Sequence, residues 1–488
     1  MRGKSLFAMV AGLIIAAAGA ARADETPLSV YRDALSNNPG FRAVQANRDA
    51  EHEGKAMALA GLLPSASLSG FYGRAEVDRN IADLARDNYR YDTYQLGLNL
   101  RQPLYRPYEF ARYQQAGKQS EMAEAQLGSA RNDLTVKTLA AYFDAAYAKT
   151  LVSLLTAQEA STQAQLLAAE KSFTAGVGTR IDISEARAQR DLILAQKLDA
   201  ENQQDHTLRA LQAYVGRPLA SIALLSPEKF STDLPRALDV DGWIAAAVAG
   251  NTDLAAALAQ VEVAKKEISK ANAGHLPTLD LMAGRTYSGN DSMSDLNNYG
   301  DTRYRQDLIG LQMSVPLYSG GGVAAGKRQA ELKVKQAQLL ADEMRLQLEV
   351  TVRQEYGTLA QGVLKIRAYE QAEASASERL TATRKGAQVG ERSNLDVLAA
   401  EMQLYTTRRD LALARYQLLV SRLRLLSYAG QLTESDVAAI SDWFGAKAEA
   451  GNKRAAVAPA LIKLEKERGK RIFLKETLVV GNLSAAKS

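Results

Sequence analysis

Hydrophobic and polar positions alternate with a period of two in three short stretches of this chain, and with a helical period nearly everywhere else. Ala66, Leu68, Gly70 and Tyr72 alternate with Ser65, Ser67, Ser69 and Phe71; after a polar loop expected from about Glu76 to Arg90, Tyr94, Leu96, Leu98 and Leu100 oppose Gln95, Gly97, Asn99 and Arg101. Ile309, Leu311, Met313 and Val315 likewise oppose Leu308, Gly310, Gln312 and Ser314. This predicts two β-hairpins, about 64–103 and 277–316. A strand of this length with one apolar face fits a membrane barrel. An antiparallel sheet on a soluble core alternates identically, so the period alone does not choose.

The helical stretches are long. Thr26-Pro27 is an N-cap with proline at the first helical position, and a helix is expected to run from there towards Gly61, with Pro64 ending it. From Arg106 to about Ser172 the only proline is Pro107, at the very start, and the only glycines are Gly117 and Gly128, which allows a helix of roughly 100 Å. A second such stretch covers about 323–385, and shorter helices are expected at about 180–214 and 394–427. On the last of these, Leu395, Leu398, Met402, Tyr405, Arg409, Ala412, Tyr416, Leu419, Leu423 and Leu426 keep 3-4 spacing, the pattern of a coiled-coil seam.

The elements recur because the chain is duplicated. Asn38 matches Asn251, Gly61 matches Gly274, Leu63-Pro64 matches Leu276-Pro277, and Pro103-Leu104-Tyr105 matches Pro316-Leu317-Tyr318, all 213 residues apart. After a one-residue slip, Gly176 matches Gly390, Asp182 matches Asp396, Tyr214 matches Tyr428 and Gly216 matches Gly430. Residues 24–238 form one copy and 239–432 the other. A compositionally distinct tail, 433–488, is expected to be partly disordered.

Residues 1–23 read as an export signal: Arg2 and Lys4, an apolar run from Leu6 to Ala18, and Ala21-Arg22-Ala23 as the cleavage site. Its removal takes three of the 60 basic residues and leaves 57 against 55 acidic ones. Near-neutrality, with no basic stripe interleaved with aromatics, argues against nucleic acid as a partner. There are no cysteines, so packing and hydrogen bonds must hold an exported chain together. No cofactor is expected. Gly321 to Lys327 imitates a phosphate-binding loop, but Arg328 stands where the magnesium-binding hydroxyl belongs, and copy one has Pro107-Tyr108 there. His52, His206 and His275 lack metal-ligand spacing, and no nucleophile–base set accompanies them, so no enzyme is expected.

Four strands cannot close a barrel, and an open edge in lipid leaves backbone groups unsatisfied. Copies must pool their strands, and two chains would supply eight while three would supply twelve. Over about 28–432 the chain resembles the TolC family of outer-membrane export proteins. The resemblance rests on the duplication, Asn37-Asn38-Pro39, the two Pro-Leu-Tyr triplets, and the turns Phe173 to Asp182 and Val389 to Leu398. It implies a homotrimer: a twelve-stranded barrel in outer-membrane lipid, continuous with a periplasmic α-helical coiled-coil tunnel. It also implies docking, through a periplasmic adaptor (membrane fusion protein), to an inner-membrane ABC or proton-driven transporter. Overall similarity points towards type I protein secretion, with small-molecule efflux as the alternative. A periplasmic adaptor is the competing reading from another class, and duplicated strand pairs speak against it.

Thr179 with Asp182 and Ser393 with Asp396 each open a helix as a capping box would. The resemblance adds a second role, in which Asp396 lines a constriction near a threefold axis, and Arg392 links to Ile181 and Asp182 to hold the tip closed. Rings of acids favour cations. Two departures from the family pattern stand at the tip. Ala387 occupies the place of a gate tyrosine, and Ala399 that of a second acidic ring.

Overall fold

The computed structural model describes residues 24–81, 85–232, 239–291 and 302–445; the expected export signal 1–23 and residues 446–488 of the expected tail lie outside them. Each copy opens with a broken helix rather than the single one expected. In copy one, α1 (Pro27–Asn37) ends at Asn38 and α2 (Pro39–Ala60) begins at once. Proline disfavours helical backbone in the residue before it, so Asn38 turns extended (φ −64°, ψ 118°) and caps α2 with its side chain. Copy two repeats the break without a proline. α5 (Val240–Gly250) and α6 (Thr252–Asn272) meet at Asn251, with a bend of 43°.

Between these helices and the long ones lie β1 (Ser65–Ile81), β2 (Ala85–Tyr105), β3 (Thr278–Asp291) and β4 (Thr302–Ser314), one antiparallel sheet in chain order. Leu68 stands opposite Leu98, and Leu281 opposite Leu311. Leu68, Leu96, Leu98, Ile309, Leu311 and Met313 share one face and are all exposed in the single chain. Ser67, Ser69, Gln95, Asn99, Thr286 and Gln312 share the other. The loop expected from Glu76 to Arg90 is instead mostly paired strand. Its charges are complementary across the hairpin: Arg74 meets Asp92 at 2.7 Å, and Arg90 meets Glu76 at 2.8 Å. A polar sequence whose charges match across two strands forms a ladder instead of a loop.

α3 (Pro107–Thr174) and α7 (Gly322–Gln388) have 68 and 67 residues, about 100 Å each. Shorter partners return along them, α4 (Arg180–Val215) beside α3 and α8 (Asn394–Tyr428) beside α7. Near the sheet α3 lies between α2 and α6, and farther out between α4 and α8. The coiled-coil expectation for α8 holds, but on another stripe. Val397, Ala400, Leu404, Thr407, Leu411, Ala414, Leu418 and Leu425 are buried, facing a matching row on α7 that includes Leu348, Val352, Leu359, Ile366, Ala376 and Leu380. Of the predicted seam, Leu426 packs with the α7 row, Leu398 is buried, and Tyr416, Leu419 and Leu423 pack on α3 and its neighbours, whereas Leu395 and Met402 are exposed. Two apolar stripes lie side by side on α8, and contact with α7 selected the one with more small residues, because alanine lets two backbones approach closely.

The largest aromatic cluster sits midway. Tyr142 and Phe143 of α3, Tyr416 of α8 and Phe444 are buried together, with the Phe143 and Phe444 rings 5.6 Å apart and nearly parallel. Each such ring contributes about 1.5–3 kcal/mol by burial. The Tyr142 hydroxyl shares its one proton between the carbonyls of Glu25 and Ala223, at 2.8 and 2.9 Å, tying the segment before α1 to this core. Part of the expected tail belongs here: α9 (Glu434–Ser441) buries Val437 and Ile440, and Phe444 completes the cluster.

The residues that identified the duplication converge in space. The Asn38 amide donates to the Tyr214 carbonyl at 3.2 Å, and the Asn251 amide to the Tyr428 carbonyl at 3.1 Å. Gly216 and Gly430 follow with positive φ (73° and 63°), closing the last turns of α4 and α8. In each copy, therefore, one asparagine caps an entering helix and clamps a departing one.

Candidate functional site

The ends of the two long hairpins, farthest from the sheet, carry the residues assigned to the gate. Each turn passes through a left-handed glycine, Gly176 (φ 77°) or Gly390 (φ 81°), a conformation that side chains disfavour. Backbone donors then satisfy the final carbonyls of the outgoing helix: Val177 and Gly178 donate to Ser172, and Glu391 donates to Gly386. The return helices begin with two capping boxes. Thr179 Oγ1 accepts from the Asp182 N–H at 3.2 Å, while Asp182 accepts from the Thr179 N–H at 2.9 Å. Ser393 Oγ accepts from the Asp396 N–H at 3.1 Å, while Asp396 accepts from the Ser393 N–H and hydroxyl, both at 3.0 Å. The capping role of both aspartates is thus visible in the geometry.

These bonds set the electrostatics of Asp396. Hydrogen bonds from the Ser393 backbone and hydroxyl stabilise its ionised form and hold its carboxyl below the ordinary aspartate value, with smaller help from Arg392 and Arg379. Arg392 sits on the same turn, and its aliphatic stem lies over Gly386, where a Cβ would come within 2.9 Å of Arg392 Cγ. Among the described residues no ion pair joins Arg392 to Asp182 within one chain. Val177, Ile181, Val389 and Leu395 project from the two tips and are exposed. Ala387 packs against Ala376, Leu380, Val397, Ala400 and Leu404, the small core that ends the α7–α8 seam. Ala399 is exposed on α8.

One charged residue near the tip escaped the sequence reading. Glu401 is 1% exposed, the most deeply buried charged side chain in the tunnel walls among the described residues. Its carboxylate accepts from Gln165 of α3 and lies 3.5 Å from Arg384 Nη2 of α7, which also reaches Ser161 of α3 at 3.1 Å. The set joins α7 and α8 to α3. A glutamate beside Ala400, on the stripe that became the seam, was the available signal. It went unread because the neighbouring stripe looked more apolar.

Comparison with known proteins agrees with this architecture. Residues 30–217 and 243–431, the two copies, match the family described as "Outer membrane efflux protein". The chain is 34% identical over 441 residues to the proteases secretion protein PrtF of Dickeya chrysanthemi, covering 87% of this chain and 94% of that one. It is 35% identical over 418 residues to the alkaline protease secretion protein AprF of Pseudomonas aeruginosa, covering 84% and 85%. Among solved structures, the Campylobacter jejuni CmeC outer membrane channel superposes with a TM-score of 0.72 at 17% identity, over 86% of this chain and 90% of that one. The chain belongs to the TolC-like outer membrane efflux protein family, and is an outer-membrane channel protein whose long helices form its periplasmic part.

Proposed function

We propose that three copies of this chain form the exit duct of a type I protein secretion system. The observation that carries the ring is the sheet: four strands with two free edges, β1 and β4, and an apolar face left exposed. Pairing β4 of one copy with β1 of the next removes every edge, which lipid requires. Three copies supply twelve strands, and the apolar face then meets lipid while the serine- and glutamine-bearing face lines the pore. The helices extend the pore through the periplasm, where an adaptor and an inner-membrane transporter of the ABC type engage it.

Secretion of protein, in preference to small molecules, is supported by PrtF and AprF, both named for protease secretion. At the tip, three copies of Asp396 place carboxylates around the axis. Their own hydrogen bonds keep them charged although they repel one another. Arg392 reaches Asp182 of a neighbouring hairpin in the closed ring, a solvent-exposed link that a docking partner can break.

Gene deletion with two readouts tests the cargo: loss of one or more secreted proteins with unchanged drug susceptibility is expected. Drug hypersensitivity with an unchanged set of secreted proteins would transfer the duct to small-molecule efflux. For the gate, Asp396→Ala in planar bilayers is expected to weaken cation selectivity. Unchanged selectivity would leave Asp396 as a helix cap alone.

A further inference from the structure

At the base of the sheet, where strand gives way to helix, one carboxylate is buried between two guanidiniums. Asp280 of β3 is 4% exposed. It accepts from Arg101 of β2 at 2.8 and 3.1 Å, and from Arg106, the residue that precedes α3, at 2.9 Å through Nε. The cluster joins the first copy to the second across β2 and β3, the one strand pairing in the sheet that no hairpin turn enforces. It also stands where backbone pairing is weakest. Pro103, opposite Asp280, has no N–H to donate, and the register shifts between Pro103 and Tyr105.

The duplication supplies a comparison within the chain. At the 213-residue offset, Asp280 corresponds to Ser67, Arg101 to Ser314 and Arg106 to Ser319. Every charged member of the cluster is serine in the other copy. If the ring closes as proposed above, Ser67 of one chain and Ser314 and Ser319 of the next meet at the seam between chains, in the place equivalent to the cluster.

We propose that Asp280, with Arg101 and Arg106, is a register pin that assigns β2 to β3 of its own chain and leaves the serine seam for association between chains. The proposal rests on the ring reading. β1 and β3 hold equivalent places in the two copies, so β2 of one chain can in principle take β1 of another in place of its own β3. Only the correct partner brings a carboxylate to the two guanidiniums; β1 offers Ser67. A two-residue slip would keep the faces correct but move Asp280 by about 6.7 Å, beyond hydrogen-bond reach, and strand a buried charge. Buried ion pairs are well suited to specifying one arrangement over its near equals.

The natural chain has no cysteine, so engineered pairs report pairing without background. Gln95 and Ser288 are directly opposite in the β2–β3 ladder. In the Gln95→Cys/Ser288→Cys protein, a short thiol cross-linker is expected to join the two within one chain, giving monomer-sized product after boiling. In the Ala75→Cys/Gln95→Cys protein, whose cysteines oppose each other only when β2 takes β1 of another chain, adding Asp280→Ser is expected to raise the yield of dimer-sized product by about tenfold, the factor one charge-assisted hydrogen bond supplies. The reverse transplant removes nothing: Ser67→Asp/Ser314→Arg/Ser319→Arg in the natural chain is expected to raise the temperature at which the trimer dissociates. A wild-type trimer whose cross-linking ignores Asp280→Ser, or whose dissociation temperature ignores the transplant, overturns the pin alone. A wild-type protein that is monomeric in membranes and in mild detergent overturns the ring as well.

Discussion

Asn251 and Asn38 do the same two jobs, and their surroundings predict different consequences when each is replaced by alanine. Asn251 is 6% exposed; its side-chain oxygen accepts from the Leu254 N–H at 2.9 Å, and its amide donates to the Tyr428 carbonyl at 3.1 Å. Loss of an asparagine N-cap costs about 1 kcal/mol. Leaving a carbonyl unpaired out of reach of water costs a further 1–3 kcal/mol or so. Asn251→Ala should therefore destabilise by about 2–4 kcal/mol. Asn38 makes matching bonds, to the Phe41 N–H at 3.1 Å and the Tyr214 carbonyl at 3.2 Å, but it is only half-buried, so water can replace its amide. Pro39 also preserves the helix break in copy one, whereas Thr252 cannot do so in copy two. Asn38→Ala should thus cost only about 1 kcal/mol. Urea unfolding of the detergent-solubilised protein, followed by helical circular dichroism, measures both. Asn251→Asp separates the two jobs, since aspartate caps as well as asparagine but cannot donate to a carbonyl. It should recover only the cap's share. Equal losses for the two alanine variants, or wild-type stability for Asn251→Asp, would refute the reasoning.

Three further outcomes follow from the geometry. Because hydrogen bonds from Ser393 lower the pKa of Asp396, the cap and the charge it carries are fully present above the ordinary carboxylate range, and fade as pH falls through the lowered folded value. Cation selectivity of the wild-type channel should persist on acidification past the usual aspartate pKa, and Ser393→Ala should move its loss to higher pH, read as reversal potentials across a pH series. Gly430→Ala should be far more damaging than Gly216→Ala. Both glycines have positive φ, a strain of about 1–2 kcal/mol for alanine, but a Cβ at 430 would lie 1.8 Å from the Gly250 carbonyl oxygen, while one at 216 meets only Asn37 at 3.1 Å. Yields of folded trimer compare them. Ile309→Arg places a charge on the lipid face, farther from the strand's helix-side end than Leu311, and should cost up to about 2–4 kcal/mol, the value reached at the bilayer midplane. Gln306→Arg, on the pore face opposite Thr286 and away from Asp280, should assemble normally and change only conductance; equal assembly of the two variants would contradict the assignment of faces.

Much of this protein could be read along the chain because its signals are local. Period-two alternation placed three strands and the duplication a fourth, the scarcity of proline and glycine gave two helices of about 100 Å, and Thr179-x-x-Asp182 and Ser393-x-x-Asp396 announced helix starts. The constant offset between copies showed that one structural unit is used twice. Tertiary structure decided whatever depends on a partner. On α8 two apolar stripes compete, and only contact with α7 buried Val397 and Leu404 while leaving Leu395 and Met402 outside. The charges around Glu76 and Arg90 resemble a loop until a second strand lies opposite them. Glu401 and Asp280 look like ordinary surface acids in sequence. Their burial, beside Gln165 and Arg384 in one case and Arg101 and Arg106 in the other, comes from segments 17 to 236 residues distant. Periodicity records which face of an element is apolar, but not which neighbour will cover it, because that neighbour is chosen by packing in three dimensions.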